Sequence, residues 1–363
     1  MFLQILLFLQ LSRLTLTSSS TPLPLTKPGC QAKCGNFTIP YPFGIGPSEN
    51  GCSFYGEGQF YNITCDASFN PPKPLLWFGT NGTTGKHNMI ELISISETES
   101  EVRVKSLPAT LCYDKTGKAT IDDSPWMGLI FTPFTVSSTK NKFFGLGCDT
   151  IAHTFDPLSG FNATCFTSCK TKEDIMDGSC AGKGCCQIEL PSGLKRIFSV
   201  VGSSPTPKPE ILSFDPCSYS FVSEIGKYNF SSSDLNGTNF LTEGRDIPIV
   251  LNWAIGNKTC EEAQKDSSTF LCQTNSKCSN SNDGPGYICA CDTGFAGNPY
   301  LSPGCQDINE CEDQENNPCE GICINTIGGY ICQCQEGTYG DGRKGGIGCI
   351  TRKAEFPIVK VTL

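Results

Sequence analysis

Apolar residues along this chain come in short alternating runs and never in a sustained helical stripe. Residues 89–95 and 102–104 carry β-branched, largely alternating side chains on either side of the polar stretch 96–101, which predicts a hairpin. Residues 197–201 and 247–251 are two further short strand candidates. Pro40, Pro42, Gly44 and Gly46, and again Pro71, Pro72 and Pro74, punctuate the pattern as turns do. The stretch 203–209, rich in Ser and Pro, reads as an exposed linker, and Cys217 beyond it implies a tether back across. The expected fold is therefore mainly β. At the N-terminus, residues 2–11 are mostly apolar and Ser18, Ser19 and Ser20 follow, so 1–20 reads as a secretory signal peptide, although a basic n-region is missing. No other run approaches the ~20 apolar residues that span a bilayer. Residues 355–363 turn apolar just where the chain stops.

Composition changes this picture most through its 24 cysteines among 363 residues. That density suits full pairing in an oxidising compartment. A set of cytosolic zinc sites would need CxxC pairs or Cys/His clusters, and the chain has no CxxC and only two histidines, His87 and His153. Seven Asn-x-Ser/Thr sequons, at Asn36, Asn62, Asn81, Asn162, Asn229, Asn236 and Asn257, agree with secretion and mark expected surface positions. The formal charge of −9 is uneven: residues 21–217 sum to −2 and residues 218–363 to −8. A polyanion should prefer the first half, and the acidic second half suits a cation such as calcium.

Twelve of the cysteines fall in two successive sets of six. The first is Cys260, Cys272, Cys278, Cys289, Cys291 and Cys305; the second is Cys311, Cys319, Cys323, Cys332, Cys334 and Cys349. Each has Cys-x-Cys at its fourth and fifth places, the spacing of EGF-like modules, which are stapled because they are too small to build a sufficient core. Spacing alone leaves the pairing open. The EGF resemblance implies Cys260–Cys278, Cys272–Cys289 and Cys291–Cys305, then Cys311–Cys323, Cys319–Cys332 and Cys334–Cys349. The other twelve cysteines, between 30 and 217, are enough for six bridges of their own, with connectivity left open.

Several phrases resemble the extracellular half of plant wall-associated receptor-like kinases. Cys34-Gly35-Asn36-Phe37-Thr38-Ile39-Pro40-Tyr41-Pro42-Phe43-Gly44-Ile45-Gly46, then Gly51-Cys52 and Phe60-Tyr61-Asn62-Ile63-Thr64-Cys65, look like that family's galacturonan-binding domain. Gly147-Cys148-Asp149, Gly184-Cys185-Cys186 and the segment 247–256 resemble the wall-associated stretch that follows. Gly297-Asn298-Pro299-Tyr300 and Gly304-Cys305-Gln306-Asp307-Ile308-Asn309-Glu310-Cys311 resemble its EGF junction. The resemblance implies a galacturonan-binding-like cysteine-rich domain at 21–115, a wall-associated cysteine-rich segment at 116–257, an EGF-like module at 258–305, a calcium-binding EGF-like module at 307–350 and a juxtamembrane stub at 351–363. In that family a membrane span and a kinase follow, so the expectation is a binding ectodomain.

Asp307, Asn309 and Glu310, followed by Cys323 to Cys334 with Asn325 and Tyr330, form the calcium-binding EGF pattern. Calcium takes six to eight oxygen ligands at ~2.4 Å. The family's roles, carried over, make Asp307, Glu310 and Asn325 side-chain donors and Ile308, Thr326 and Gly329 carbonyl donors, with Tyr330 packing on a neighbouring module. Asn325 is also marked for β-hydroxylation. The first module has Gly256-Asn257-Lys258-Thr259 where the acidic lead would be, so no calcium is expected there.

The resemblance implies pectin, or oligogalacturonides, as partner. Cationic candidates are Lys27, Lys33, Lys73, Lys86, Arg103, Lys105, Lys115, Lys118, Lys140 and Lys142; aromatic ones are Tyr41, Phe43, Tyr55, Tyr61 and Trp77. Lys33, Arg103, Lys105, Lys115, Lys118, Tyr41 and Tyr61 lead that set. Catalysis is not expected, because neither histidine has a nucleophile motif beside it. Gly340-Asp341-Gly342-Arg343-Lys344-Gly345 satisfies G-x-G-x-x-G, but it lies in an EGF loop with no strand-to-helix turn. The alternative function is a soluble decoy or adhesion module pairing with a receptor ectodomain.

Overall fold

The computed structural model describes residues 24–46, 50–56, 60–80, 87–96, 98–203, 208–237, 240, 247–313 and 315–351. The expected leader, Asn81, Lys86, the side chain of His87, residues 204–207 of the expected linker and the stub from 352 onward lie outside these residues. Strands dominate, and the helices are single turns such as Pro209–Leu212 and Cys260–Ala263.

The predicted hairpin is present. His87–Ser96 pairs antiparallel with Glu101–Lys105 around 96–101, with Leu92 opposite Val104 and Ile95 opposite Val102. It sits inside a seven-stranded sheet ordered Phe134–Val136, Pro248–Trp253, Glu101–Lys105, His87–Ser96, Lys73–Thr80, Asn62–Asp66 and Gly44–Ile45. Strands from both sides of residue 115 therefore share one sheet, and Ile249 stands opposite Val104. The alternating apolar residues point one way into a core containing Phe43, Tyr61, Ile63, Leu76, Val102, Phe134 and Trp253. Edge-to-face rings knit it: Phe43 lies 5.4 Å from Trp253 and 5.5 Å from Tyr61.

A five-stranded sheet, ordered Cys185–Glu189, Asn141–Leu146, Cys217–Glu224, Ala109–Tyr113 and Ala119–Asp123, carries a second core around Phe144, Tyr219, Phe221, Tyr228 and Phe240. A four-stranded sheet joins Trp126–Gly128, Arg196–Ser203, Thr150–Asp156 and Phe161–Phe166.

All 24 cysteines are bridged. The body holds Cys30–Cys52, Cys34–Cys65, Cys112–Cys217, Cys148–Cys169, Cys165–Cys186 and Cys180–Cys185. Cys112 and Cys217 stand opposite each other in the five-stranded sheet and close a loop of 105 residues, the tether back across 203–209. A loop that long is the one whose closure constrains the unfolded chain most, by about 4–5 kcal/mol in the chain-entropy model.

The first EGF-like module contains Cys260–Cys278, Cys272–Cys289 and Cys291–Cys305; the second contains Cys311–Cys323, Cys319–Cys332 and Cys334–Cys349. The first is fused to the body. Ile255 and Tyr287 exchange backbone hydrogen bonds, Asn298 Nδ2 donates to the carbonyls of Leu25 and Tyr41, and Tyr300 packs 5.4 Å from Trp253. Among the described residues no helix is long and apolar enough to cross a membrane.

Candidate functional site

The joint between the two EGF-like modules is built from backbone first. Phe295–Ala296 of the first module pairs with Gln306–Asp307, and Ile308 N–H donates to the Gly294 carbonyl at 2.9 Å. Gly294 sits at φ +84°, and a Cβ there would meet the Gly328 carbonyl oxygen at 2.3 Å. Only glycine lets the two modules approach this closely. Asp307 is thereby delivered to the turn of the Ile322–Thr326/Gly329–Gln333 hairpin. Its Oδ1 accepts from Gly328 N–H at 2.6 Å and its Oδ2 from Asn325 Nδ2 at 2.8 Å.

Of the expected calcium donors, the structure brings Asp307 and Asn325 into direct contact, with Thr326 and Gly329 paired at the mouth of the same turn. Glu310 contributes the most telling atom: its Oε2 is buried and has no hydrogen-bond partner. A buried acceptor without a donor is costly and calls for a cation or water. The donor set is oxygen only, which fits a hard cation such as calcium. Among the described residues no group of three or more His, Cys, Asp and Glu gathers that could hold a metal ion, so at this joint the amide and carbonyl oxygens would have to complete the set. Tyr330 is half-buried. Arg343 of its own module lies 5.5 Å over its ring, while Phe295 meets the neighbouring module, 3.0 Å from where a Gly328 Cβ would stand.

The expected sugar-binding side chains separate into three groups. Tyr61 is 3% exposed, its hydroxyl donates to the Ala254 carbonyl at 2.6 Å, and burial pushes its phenol well up. Tyr41 and Phe43 are also buried. These rings belong to the core, where Phe43 and Tyr61 lie against Phe134 and Trp253. Arg103 is likewise corrected: it forks onto Glu224 at 2.7 and 3.0 Å and reaches Glu101 at 3.3 Å. That bidentate bond raises its pKa further and ties two sheets together. Lys140 pairs with Glu99 and Glu101, and Lys142 with Glu189.

The remaining described candidates are exposed or half-buried. Lys33, Lys115 and Lys118 are exposed and Lys105 is half-buried. Tyr55 is exposed and Trp77 half-buried, 5.7 Å from Phe60. Lys27 lies 5.9 Å over the Tyr41 ring. Lys73 lies 4.9 Å over Phe69 and pairs with Glu91, beside an open groove walled by Phe37, Pro71 and Pro72. Phe69 was not among the sequence candidates; its adjacency to a proline run is the only signal that marked it. The sequon residues Asn36, Asn162, Asn229, Asn236 and Asn257 are exposed, while Asn62 is half-buried with its Oδ1 unpartnered.

His153 Nδ1 bonds Thr164 Oγ1 at 2.8 Å across a strand pair. The glycine-rich loop at 340–345 is organised by Asp341, whose carboxylate accepts from Arg343, Ile347 and Gly348 N–H, bonds that hold it below the usual carboxylate range.

A disulfide-bridged β body with a docked EGF-like module and a second one bearing an oxygen-rich joint defines an ectodomain-type binding protein. Residues 30–106 match the family described as wall-associated receptor kinase galacturonan-binding, and residues 307–346 match the calcium-binding EGF domain. The chain is 35% identical to wall-associated receptor kinase 1 of Arabidopsis thaliana over 319 residues, covering 85% of this chain and 39% of that protein. It is 36% identical to wall-associated receptor kinase 2 of the same plant over 332 residues, covering 89% and 40%. No solved structure matches. The chain is a wall-associated receptor kinase-like extracellular region, and it spans about two fifths of the length of these relatives.

Proposed function

We propose that this chain binds galacturonan outside the cell through its 30–106 domain and stiffens its EGF pair with calcium. The observation that carries the first part is the galacturonan-binding match over a surface where Lys73 caps Phe69 beside an open groove. An anionic sugar chain needs a cation for its carboxylate and an apolar face for its ring; this groove holds Phe69 and Lys73, whose ammonium a sugar carboxylate would share with Glu91 on the same wall. The bridges and exposed sequons support an extracellular setting. Binding of defined oligogalacturonides to the secreted protein should be saturable and should weaken with salt, since exposed charges are screened beyond ~10 Å at 0.1 M. Absence of binding would move the reading towards recognition of a receptor ectodomain.

The orphaned Glu310 Oε2 and the Asp307–Asn325 contact support calcium. Asp307, Glu310 and Asn325 would hold it with carbonyls of Ile308, Thr326 and Gly329. The ion would supply charge compensation and add to the strand pair and hydrogen bonds that join the modules. Calcium titration should tighten the joint in the native protein and not in Asp307→Ala; an identical response in both would remove the assignment.

A further inference from the structure

An open cavity of about 220 Å³ lies where the three parts of the molecule meet. Phe54 and Phe60 come from the galacturonan-binding domain, Phe131, Lys195 and Asn257 from the stretch that follows, and Pro285 from the first EGF-like module. Two of these residues are unusual. Phe131 is 91% exposed and sits at φ +62°, a left-handed conformation that a bulky aromatic residue adopts only at a cost. Neither burial nor packing explains holding a phenyl ring out in water at a strained position. Lys195 is half-buried, and its Nζ donates to the carbonyls of Thr132 at 3.1 Å and Phe134 at 2.6 Å. Those bonds use two of an ammonium's three donors. Among the described residues no carboxylate forms an ion pair with it, and burial brings its pKa down to about 8. A half-buried cation of that kind selects an anion.

We propose that this cavity is a site for a single uronate residue, a carboxylate-bearing pyranose whose acid group meets Lys195 and whose C–H face lies on Phe131. The proposal rests on the galacturonan reading and places one unit of that polymer. The cavity is smaller than the ~300–1,000 Å³ of sites for drug-sized ligands, which favours one ring over an extended chain. A neutral N-glycan core from Asn257, at the rim, would leave the ammonium uncompensated, so charge selects the acidic sugar. Because the walls come from all three parts, an occupied site would also couple the binding domain to the EGF-like stalk.

The test is calorimetric binding of trigalacturonate, with neutral galactose as competitor, to the full secreted chain and two variants. Lys195→Met keeps the apolar stem and removes the charge; affinity should fall about ten-fold. Phe131→Asn removes the ring and places a residue tolerant of the left-handed region; affinity should fall about five-fold while the melting temperature holds or rises. Galactose should not compete. Phe131→Asn keeps the test sound if Lys195→Met fails to fold. Wild-type binding left intact in a folded Phe131→Asn protein overturns this site and leaves the galacturonan reading standing. No binding by the wild type overturns both.

Discussion

The two EGF-like modules share a cysteine framework and bridge pattern, yet they are held in place by different physics. The first buries Tyr287, Cys289, Tyr300, Leu301 and Cys305, and its Asn298 side chain, 2% exposed, bonds two carbonyls of the β body. Among its described apolar side chains the second buries only Cys319, and it leaves Ile322, Ile324, Ile327 and Ile331 exposed. One module has a core because it borrows the body's; the other is held by three bridges and by the hydrogen bonds of the joint. The first module is joined to the body by packing and lacks the acidic lead before its first cysteine, Cys260.

The largest expected effect comes from cutting the borrowed core. Tyr300→Ala should cost about 3–5 kcal/mol of the body's stability in denaturant unfolding, because the ring is wholly buried against Trp253. The second module's hydrogen exchange should not change. If the body's midpoint stays put, the first module is only tethered and the contrast collapses. Replacing Cys319 and Cys332 together by Ser should cost roughly 2–4 kcal/mol, confined to the second module. Exchange mapping that spreads into the body would show the two are coupled after all.

A pH scan should sharpen the same contrast. Asp215 is buried in the body beside the Cys148 N–H, and burial pushes its carboxyl up to about 8. Between about pH 4 and pH 8 the folded protein keeps a proton that the unfolded chain has released. Stability present below that window is therefore lost as pH rises through it, on the order of 1 kcal/mol per unit. The second module should not follow this slope, and Asp215→Asn should flatten it; a slope that survives in Asp215→Asn would assign it elsewhere. The smallest global effect belongs to Gly294→Ala, which forces the joint apart at Gly328. Its midpoint should shift by less than about 1 kcal/mol, but proteolysis between Cys305 and Cys311 should quicken. Unchanged cleavage would mean the close approach does not hold the joint.

Much of this was legible along the chain. Alternation marked the 96–101 hairpin, and cysteine spacing marked both modules. The strand Cys217–Glu224 was not legible. It reads as polar, with Ser218, Ser220, Ser223 and Glu224, yet every residue in it is buried. It lies in the middle of the five-stranded sheet, where the backbone is paired on both sides. Small serines fit there, and Arg103, 121 residues away, neutralises Glu224. No local window contains that partner. Arg103 itself reads as a surface cation for the same reason. Asn298 sits in a phrase the EGF junction shares, but its anchoring to Leu25 and Tyr41 spans more than 250 residues.

What the sequence determined by itself was therefore whatever depends on near neighbours: strand period, module spacing, the oxygen-rich pattern from Asp307 to Asn325, and the compartment. Tertiary structure alone decided which charges are already spent, which aromatic rings are core, and that Phe131 and Lys195 share a cavity. Those properties depend on burial and on partners brought together by long-range sheet pairing, and a desolvated charge or a turned-in ring has no signature in the residues beside it.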